Sequence, residues 1–391
     1  VRARLTHKGI KEYMNTTSVP TPVRANPVVH LGLPRMRTSG SVPADRPRVP
    51  DLIDRFGRVA RDLRVSLTDK CNLRCTYCMP AEGVQPVPGE RILTDAEVVR
   101  LVRIAVERLG VREVRFTGGE PLLRKGLEKI VAATSALSTD VGTRVETSLT
   151  TNALGLRHRA RRLKEAGLTR VNVSIDAADR ETYAALTRRD RFDDAVAGAR
   201  AAAEAGLLPV KVNAVLVRGV NDAQAVRLVA EALVSGYELR FIEQMPLGPS
   251  GKWTRSGMVA AEEILSRLEG AFKLVARPGT ERGSSPAELW DVAPGKVDGV
   301  EHPGGTVGVI ASITRPFCGD CDRTRLTADG QVRSCLFARE ETDLRSLLRA
   351  GADDDTIADA WRAAMWGKQP GHGVDDPSFL QPSRTMSAIG G

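Results

Sequence analysis

The sequence predicts an α/β protein, an open (β/α)6 partial barrel followed by a smaller C-terminal α+β region. Three observations carry this. From residue 51 onward, apolar runs of strand length alternate six times with segments of helical period. Short loops join them, which implies parallel strands connected by right-handed crossovers. Six repeats rather than eight leave the barrel open, and near residue 276 the pattern gives way to a Gly- and Pro-rich stretch with hairpin signals.

Before the first strand, residues 1–50 hold seven prolines, few aromatics and no sustained periodicity, the composition of a flexible arm. The arm carries nine Lys and Arg against two acids, so it supplies +7 of the formal +9 charge. The remaining body is close to neutral, and the basic pI gives no reason to expect nucleic acid as a ligand. An Arg-rich, acid-poor opening is also the composition of a transit peptide, and Met14 is a second candidate start. No run approaches the ~18 apolar residues of a membrane span, so a soluble, cytoplasmic protein is expected.

Strands are expected at Leu63–Leu67, Val111–Phe116, Arg144–Leu149, Arg170–Ile175, Val210–Val217 and Glu238–Ile242, together forming a barrel over 51–275. The first helix, Asp95–Leu109, opens on the capping box Thr94-Asp95-Ala96-Glu97 and stops at Gly110. Others are expected near Gly126–Ser135, His158–Ala166, Phe192–Ala205 and Asn221–Ser235, the last three followed directly by Gly167, Gly206 and Gly236. Over 276–391 a strand is expected at Thr306–Ile313. A hairpin Arg323–Thr327/Gln331–Leu336 should turn on Ala328-Asp329-Gly330, and two helices follow, near Asp343–Ala350 and Asp353–Met365. That hairpin sets Cys335 across from about Arg323.

Barrels of this kind do their chemistry at the carboxyl ends of the strands. There the sequence gathers Cys71, Cys75 and Cys78 after the first strand, Thr117-Gly118-Gly119-Glu120-Pro121 after the second, Thr150 at the third, Ser174 at the fourth and Met245 after the sixth. The CxxxCxxC run offers three thiolates, one short of a closed zinc site or a fully ligated iron–sulfur cube. A second triplet, Cys318-x2-Cys321-x13-Cys335, again stops at three. On spacing alone it fits zinc, with His302 or His372 as the fourth ligand, as well as it fits a cluster. Arg64, Arg115 and Lys211 fall within strands, and Arg323 and Arg325 share one face of another, cations placed where burial demands an anionic partner. Gly248-Pro249-Ser250-Gly251-Lys252-Trp253 imitates a phosphate loop but has two residues between its glycines instead of four, and Trp in place of the magnesium-binding Ser or Thr.

The CxxxCxxC loop with Tyr77 inside it resembles the signature of the radical S-adenosylmethionine (SAM) superfamily. With the stretch Gly57–Asp69, the CxxCx13C triplet, Arg323-Thr324-Arg325 and the terminal Gly390-Gly391, the chain is more narrowly similar to the GTP 3′,8-cyclase family of molybdenum cofactor biosynthesis. The resemblance runs from about Leu52 to the end. It implies a partial TIM barrel of the radical SAM type, SAM as cofactor and two [4Fe-4S] clusters, one held by Cys71, Cys75 and Cys78, the other by Cys318, Cys321 and Cys335. Tyr77, Gly119, Ser174 and Met245 would line the SAM site. Arg64, Arg115, Thr150, Lys211, Arg323, Thr324 and Arg325 would contact GTP. It further implies an external electron donor, a downstream enzyme that forms the cyclic pyranopterin, and a homodimer. The alternatives are a radical SAM enzyme with another substrate, or a zinc-stabilised nucleic-acid-binding protein.

Overall fold

The computed structural model describes residues 35–37, 42–249 and 251–390. A short strand, β1 (Arg35–Arg37), precedes six that form the barrel wall: β2 (Asp62–Ser66), β3 (Glu113–Thr117), β4 (Glu146–Thr151), β5 (Arg170–Ser174), β6 (Val210–Val215) and β7 (Glu238–Ile242). Each is parallel to the next. Between them run α1 (Asp95–Leu109), α2 (Leu127–Ser135), α3 (Ala160–Glu165), α4 (Arg180–Thr187), α5 (Phe192–Glu204) and α6 (Ala225–Val234).

Alternation along the strands divides the polar from the apolar. Leu63 and Val65, Val114 and Phe116, Val171 and Val173, and Leu239 and Phe241 are buried in one hydrophobic core with Leu101, Val102, Ile130, Val131 and Leu228 of the helices. The intervening residues include Asp62, Arg64, Arg115, Asn172, Lys211, Asn213 and Arg240, as the two-residue period of a strand requires. Cross-strand register sets Arg325, Arg64, Arg115 and Ser148 in one row and Arg323, Asp62, Glu113 and Glu146 in the next.

Two expected strands begin later and run on further. In β4 the parallel ladder keeps Thr150 and Thr151 paired with Asn172 and Val173, so β-branched residues expected in a loop extend the strand. Helix α4 escaped the periodicity; its start is fixed by Asp179, whose carboxylate accepts the Thr182 N–H. The capping box of α1 forms with both its hydrogen bonds.

The chain from 276 onward is woven into the same sheet. After α7 (Ala261–Glu269) come β8 (Leu274–Ala276), β9 (Glu288–Val292), the ribbon β10 (Gly295–Val297) and β11 (Val300–His302), then β12 (Gly305–Ile310), the hairpin β13 (Arg323–Leu326) and β14 (Gln331–Arg333), and β15 (Glu340–Asp343). Strand β12 lies parallel to β7 and β13 parallel to β2, so both flanks of the six-stranded wall are covered in one 13-stranded sheet. Helices α8 (Leu344–Arg349), α9 (Asp354–Trp366) and α10 (Met386–Ile389) complete the chain.

Of the arm expected over 1–50, residues 1–34 and 38–41 lie outside the described residues. The rest is ordered into the body. β1 pairs with β15, and Arg46 is buried, its guanidinium donating to the carbonyls of Pro47, Val49 and Asp51. The body therefore starts before residue 51, because one arginine of the basic segment finds carbonyl acceptors for both its terminal nitrogens there.

Candidate active site

The strand ends and the C-terminal segment enclose a cavity of about 300 Å³. All six cysteines line it, and none is paired in a disulfide. Cys71, Cys75 and Cys78 stand on the loop that leaves β2. The sulfur of Cys71 accepts the Leu73 N–H at 3.4 Å and faces the Asn152 amide at 3.9 Å. Burial raises all three thiols, with Cys78 pushed up to about 12 by burial and the neighbouring Cys71. Such thiols give up their protons when a metal centre takes them.

The second triplet is built differently. Cys318 and Cys321 lie on a single turn before β13, and Cys335 follows β14, whose register with β13 carries it opposite Arg323. Burial opposes ionisation of Cys321, but the Lys368 and Arg323 cations outweigh it and hold this thiol below its ordinary value. The Cys335 sulfur accepts the Phe337 N–H at 3.4 Å.

A zinc ion would draw its sulfurs to about 2.3 Å from one point. Among the described residues no group of three or more His, Cys, Asp or Glu side chains is gathered closely enough to hold a metal ion, which applies to both triplets alike. His302 is absent from the cavity and packs edge-on against Phe272. His372 lines the cavity beside the second triplet, with its Nδ1 accepting the Val374 N–H and its Nε2 buried without a hydrogen-bond partner. Each triplet offers three thiols, the number that a cube with one open iron takes.

Tyr77, Gly119, Ser174 and Met245, expected at the SAM site, are all among the lining residues. The Tyr77 hydroxyl donates to Asp176 at 2.7 Å, and burial lifts the Asp176 carboxyl to about 6. At Gly119 an added Cβ would meet the Lys70 carbonyl oxygen at 2.3 Å, so the Gly-Gly turn lies directly against the backbone of the cysteine loop. Glu120 is buried and pushed up to about 7 by that burial, although the N–H groups of Leu122 and Asn152 and the Thr151 hydroxyl all donate to its carboxylate. It thereby fixes Asn152 beside Cys71.

Of the residues expected to meet GTP, Arg64, Arg115, Thr150, Arg323 and Arg325 line the cavity. Asp62 sits among them, 3.7 Å from Arg64, 3.8 Å from Arg115 and 3.6 Å from Arg323. Its burial favours protonation, but the surrounding guanidinium groups hold it down at about 2. At these distances the pairs are ionic rather than hydrogen-bonded: the Nε atoms of Arg64 and Arg323 are buried without a hydrogen-bond partner, and so is Asp62 Oδ1. An anion with several oxygens fits these orphaned donors. Asn213, which shares a face of its strand with Lys211, also lines the cavity, as does Arg240, which escaped the sequence reading although it follows the two-residue alternation from Glu238.

Two expected contacts stand elsewhere. Thr324 is fully buried with its hydroxyl accepting the Trp361 indole N–H at 2.9 Å, since alternation turns it away from its arginine neighbours. Lys211 is not among the lining residues. It stands 3.8 Å from Glu238 and is held down at about 8 by burial and by the Arg240 and Arg170 charges. The phosphate-loop imitation is structural: Gly248 lies against the Tyr77 carbonyl, and the Trp253 indole donates to the Gln244 carbonyl.

The C-terminal tail reaches the cavity, where Met386 and Ser387 join the lining. Arg325 donates to the Gly390 carbonyl, and an added Cβ on Gly390 would meet Thr117 and Ser66. Gly391 lies outside the described residues. Arg384 anchors the tail by pairing with Asp329 at 2.9 Å and Glu341 at 2.8 Å.

A parallel partial barrel with an open three-cysteine loop at its strand ends defines a radical SAM protein. Residues 65–232 match the model of the Radical SAM superfamily, and residues 237–374 match that of Molybdenum Cofactor Synthesis C. The chain is 60% identical over 350 residues to the GTP 3′,8-cyclase of Corynebacterium glutamicum, covering 89% of this chain and 91% of that one. It is 57% identical over 376 residues to the GTP 3′,8-cyclase of Mycolicibacterium smegmatis, covering 93% and 99%. In fold it is similar to Streptococcus suis SuiB, with a TM-score of 0.51 at 15% identity over 81% of this chain and 68% of that one. The chain belongs to the GTP 3′,8-cyclase family.

Proposed function

We propose that this protein converts GTP to (8S)-3′,8-cyclo-7,8-dihydroguanosine 5′-triphosphate, the first step of molybdenum cofactor biosynthesis. The observation that carries the reading is that both cysteine triplets and a set of under-satisfied arginines line one cavity. Cys71, Cys75 and Cys78 would hold one [4Fe-4S] cluster, and Cys318, Cys321 and Cys335 the other. With SAM bound, the first cluster would supply one-electron radical chemistry directed at the ribose 3′ carbon.

The chain's own residues bind, orient and seclude. Gly119, with no side chain, admits the methionyl end of SAM close to the backbone, while Tyr77, Ser174 and Met245 bound the rest of that site. Arg64, Arg115, Arg323 and Arg325 take the triphosphate with Asp62 as their counter-charge. Thr150 would contact GTP from the cavity wall, and Lys211 and Arg240 extend the positive field. Gly390 closes the cavity over Arg325 and limits the entry of water. The electron comes from an external donor, the product passes to a pyranopterin-forming enzyme, and the working form is a homodimer in the cytoplasm. Among the described residues no helix is long and apolar enough to cross a membrane.

Anaerobic reconstitution with iron and sulfide, followed by mass analysis of the nucleotide product, tests this reading. Release of 5′-deoxyadenosine that depends on GTP, with the cyclised nucleotide as product, supports it. Equal release without GTP, or about two zinc ions per chain with no labile sulfide, ends it.

A further inference from the structure

Lys368 lies just beyond α9, outside every motif discussed so far, and is 3% exposed. An ammonium group buried to that extent ordinarily pairs with a carboxylate. Among the described residues no ion pair joins Lys368 to an acid. Its three hydrogens go instead to the Cys321 carbonyl at 3.0 Å, the Arg323 carbonyl at 3.0 Å and the Cys321 sulfur at 3.4 Å. Among the described residues, the one hydrogen-bond partner of Lys368 that can carry a negative charge is the Cys321 sulfur. Arg323 approaches the same sulfur at 3.8 Å.

At the first triplet Arg74 donates to the Cys71 carbonyl at 2.7 Å, but among the described residues no cation is hydrogen-bonded to a sulfur there. Its sulfurs are met by neutral amides, Leu73 and Asn152 at Cys71 and the Ser387 backbone at Cys78, while the Asp176 carboxylate stands behind Tyr77. The two cysteine sites therefore differ in local charge although each has three thiols.

We infer that Lys368 is a positioning residue that sets the reduction potential of the second cluster, holding it above that of the first. Hydrogen bonds and positive charge at a ligating sulfur withdraw electron density from the iron and favour the reduced, more negative state. Burial keeps this charge from being screened by water. The same ammonium ties the carbonyls of Cys321 and Arg323 together, which fixes the sulfur relative to the arginine proposed for the triphosphate. This inference rests on the proposed function in one respect, that the second triplet holds an iron–sulfur cluster.

The test is an EPR-monitored redox titration of the reconstituted full-length chain, unaltered and as K368Q and K368R. It is repeated in a C71A/C75A/C78A background, where only the second triplet can hold a cluster. K368Q should shift the second cluster to more negative potential and leave the first in place, while K368R stays close to the unaltered chain. Loss of iron from K368Q but not from K368R also supports the inference, because it separates charge from bulk. An unchanged potential in K368Q with its cluster intact overturns it, as does an equal shift of both clusters or loss of iron in both variants. Zinc without sulfide at the second triplet of the unaltered chain, read from metal analysis alone, overturns the proposed function as well.

Discussion

At the scale of single residues, one strand shows how far alternation can be trusted. Arg323 and Arg325 share a face of β13, as their spacing required, and the same rule places Thr324 on the other face with Trp361. Family resemblance grouped the three together, but the backbone separates them. Thr324→Val should therefore leave the KM for GTP unchanged and lower stability by about 1–3 kcal/mol, the cost of a buried indole N–H without an acceptor, read from chemical denaturation. Asp62 is the converse case, a residue the sequence reading passed over and the cavity depends on. Its carboxylate, held at about 2, contributes stability that is fully present above the unfolded value near 3.8 and is lost as the pH falls through 2. Asp62→Asn should remove that acid-limb dependence and destabilise the ligand-free protein by about 3 kcal/mol, because buried guanidinium groups lose their counter-charge. GTP should raise the melting temperature of Asp62→Asn more than that of the unaltered chain; an equal rise would count against triphosphate at this position.

At the scale of elements, the loops at the strand ends are held together by backbone contact. Gly118 has a φ of 136°, and an added Cβ there would meet the Thr68 carbonyl oxygen at 2.3 Å, much as Gly119 meets that of Lys70. Neither neighbour is a flexible side-chain end, so one loop must move if the other gains an atom. Gly119→Ala should displace the cysteine loop and reduce SAM binding by at least tenfold in equilibrium dialysis, while the far-UV circular dichroism stays the same. The first helix was legible from its capping box, and the hairpin at Asp329-Gly330 from its turn residues. Helix α4 and strands β8 and β9 were not. α4 is short, and the two strands lie in a Gly- and Pro-rich stretch, where packing rather than local pattern decides the structure.

For the whole molecule, the sequence revealed a barrel and an appendage, and the structure shows how the second completes the first. No local signal says that β13 will lie beside β2, since pairing across so many residues is decided by which sheet edge is left open. A fragment of residues 42–275 would lack β12 and β13 and present the edges of β7 and β2 to solvent. It should be recovered as aggregate or as an expanded species by size-exclusion chromatography, whereas an autonomous barrel would elute as a compact monomer. Strand pairing crosses the division at 275 on both sides of the wall.

The pairing of β2 with β13 also sets an order of events. About 260 residues separate the partners, and contacts of such long range form late in folding. During synthesis the thiols of the first loop are made long before the wall that shelters them, and they stay open to dioxygen and stray metal ions until β13 docks. Protection from oxidation is acquired only when the last wall closes, so the nascent chain is more vulnerable than the finished enzyme.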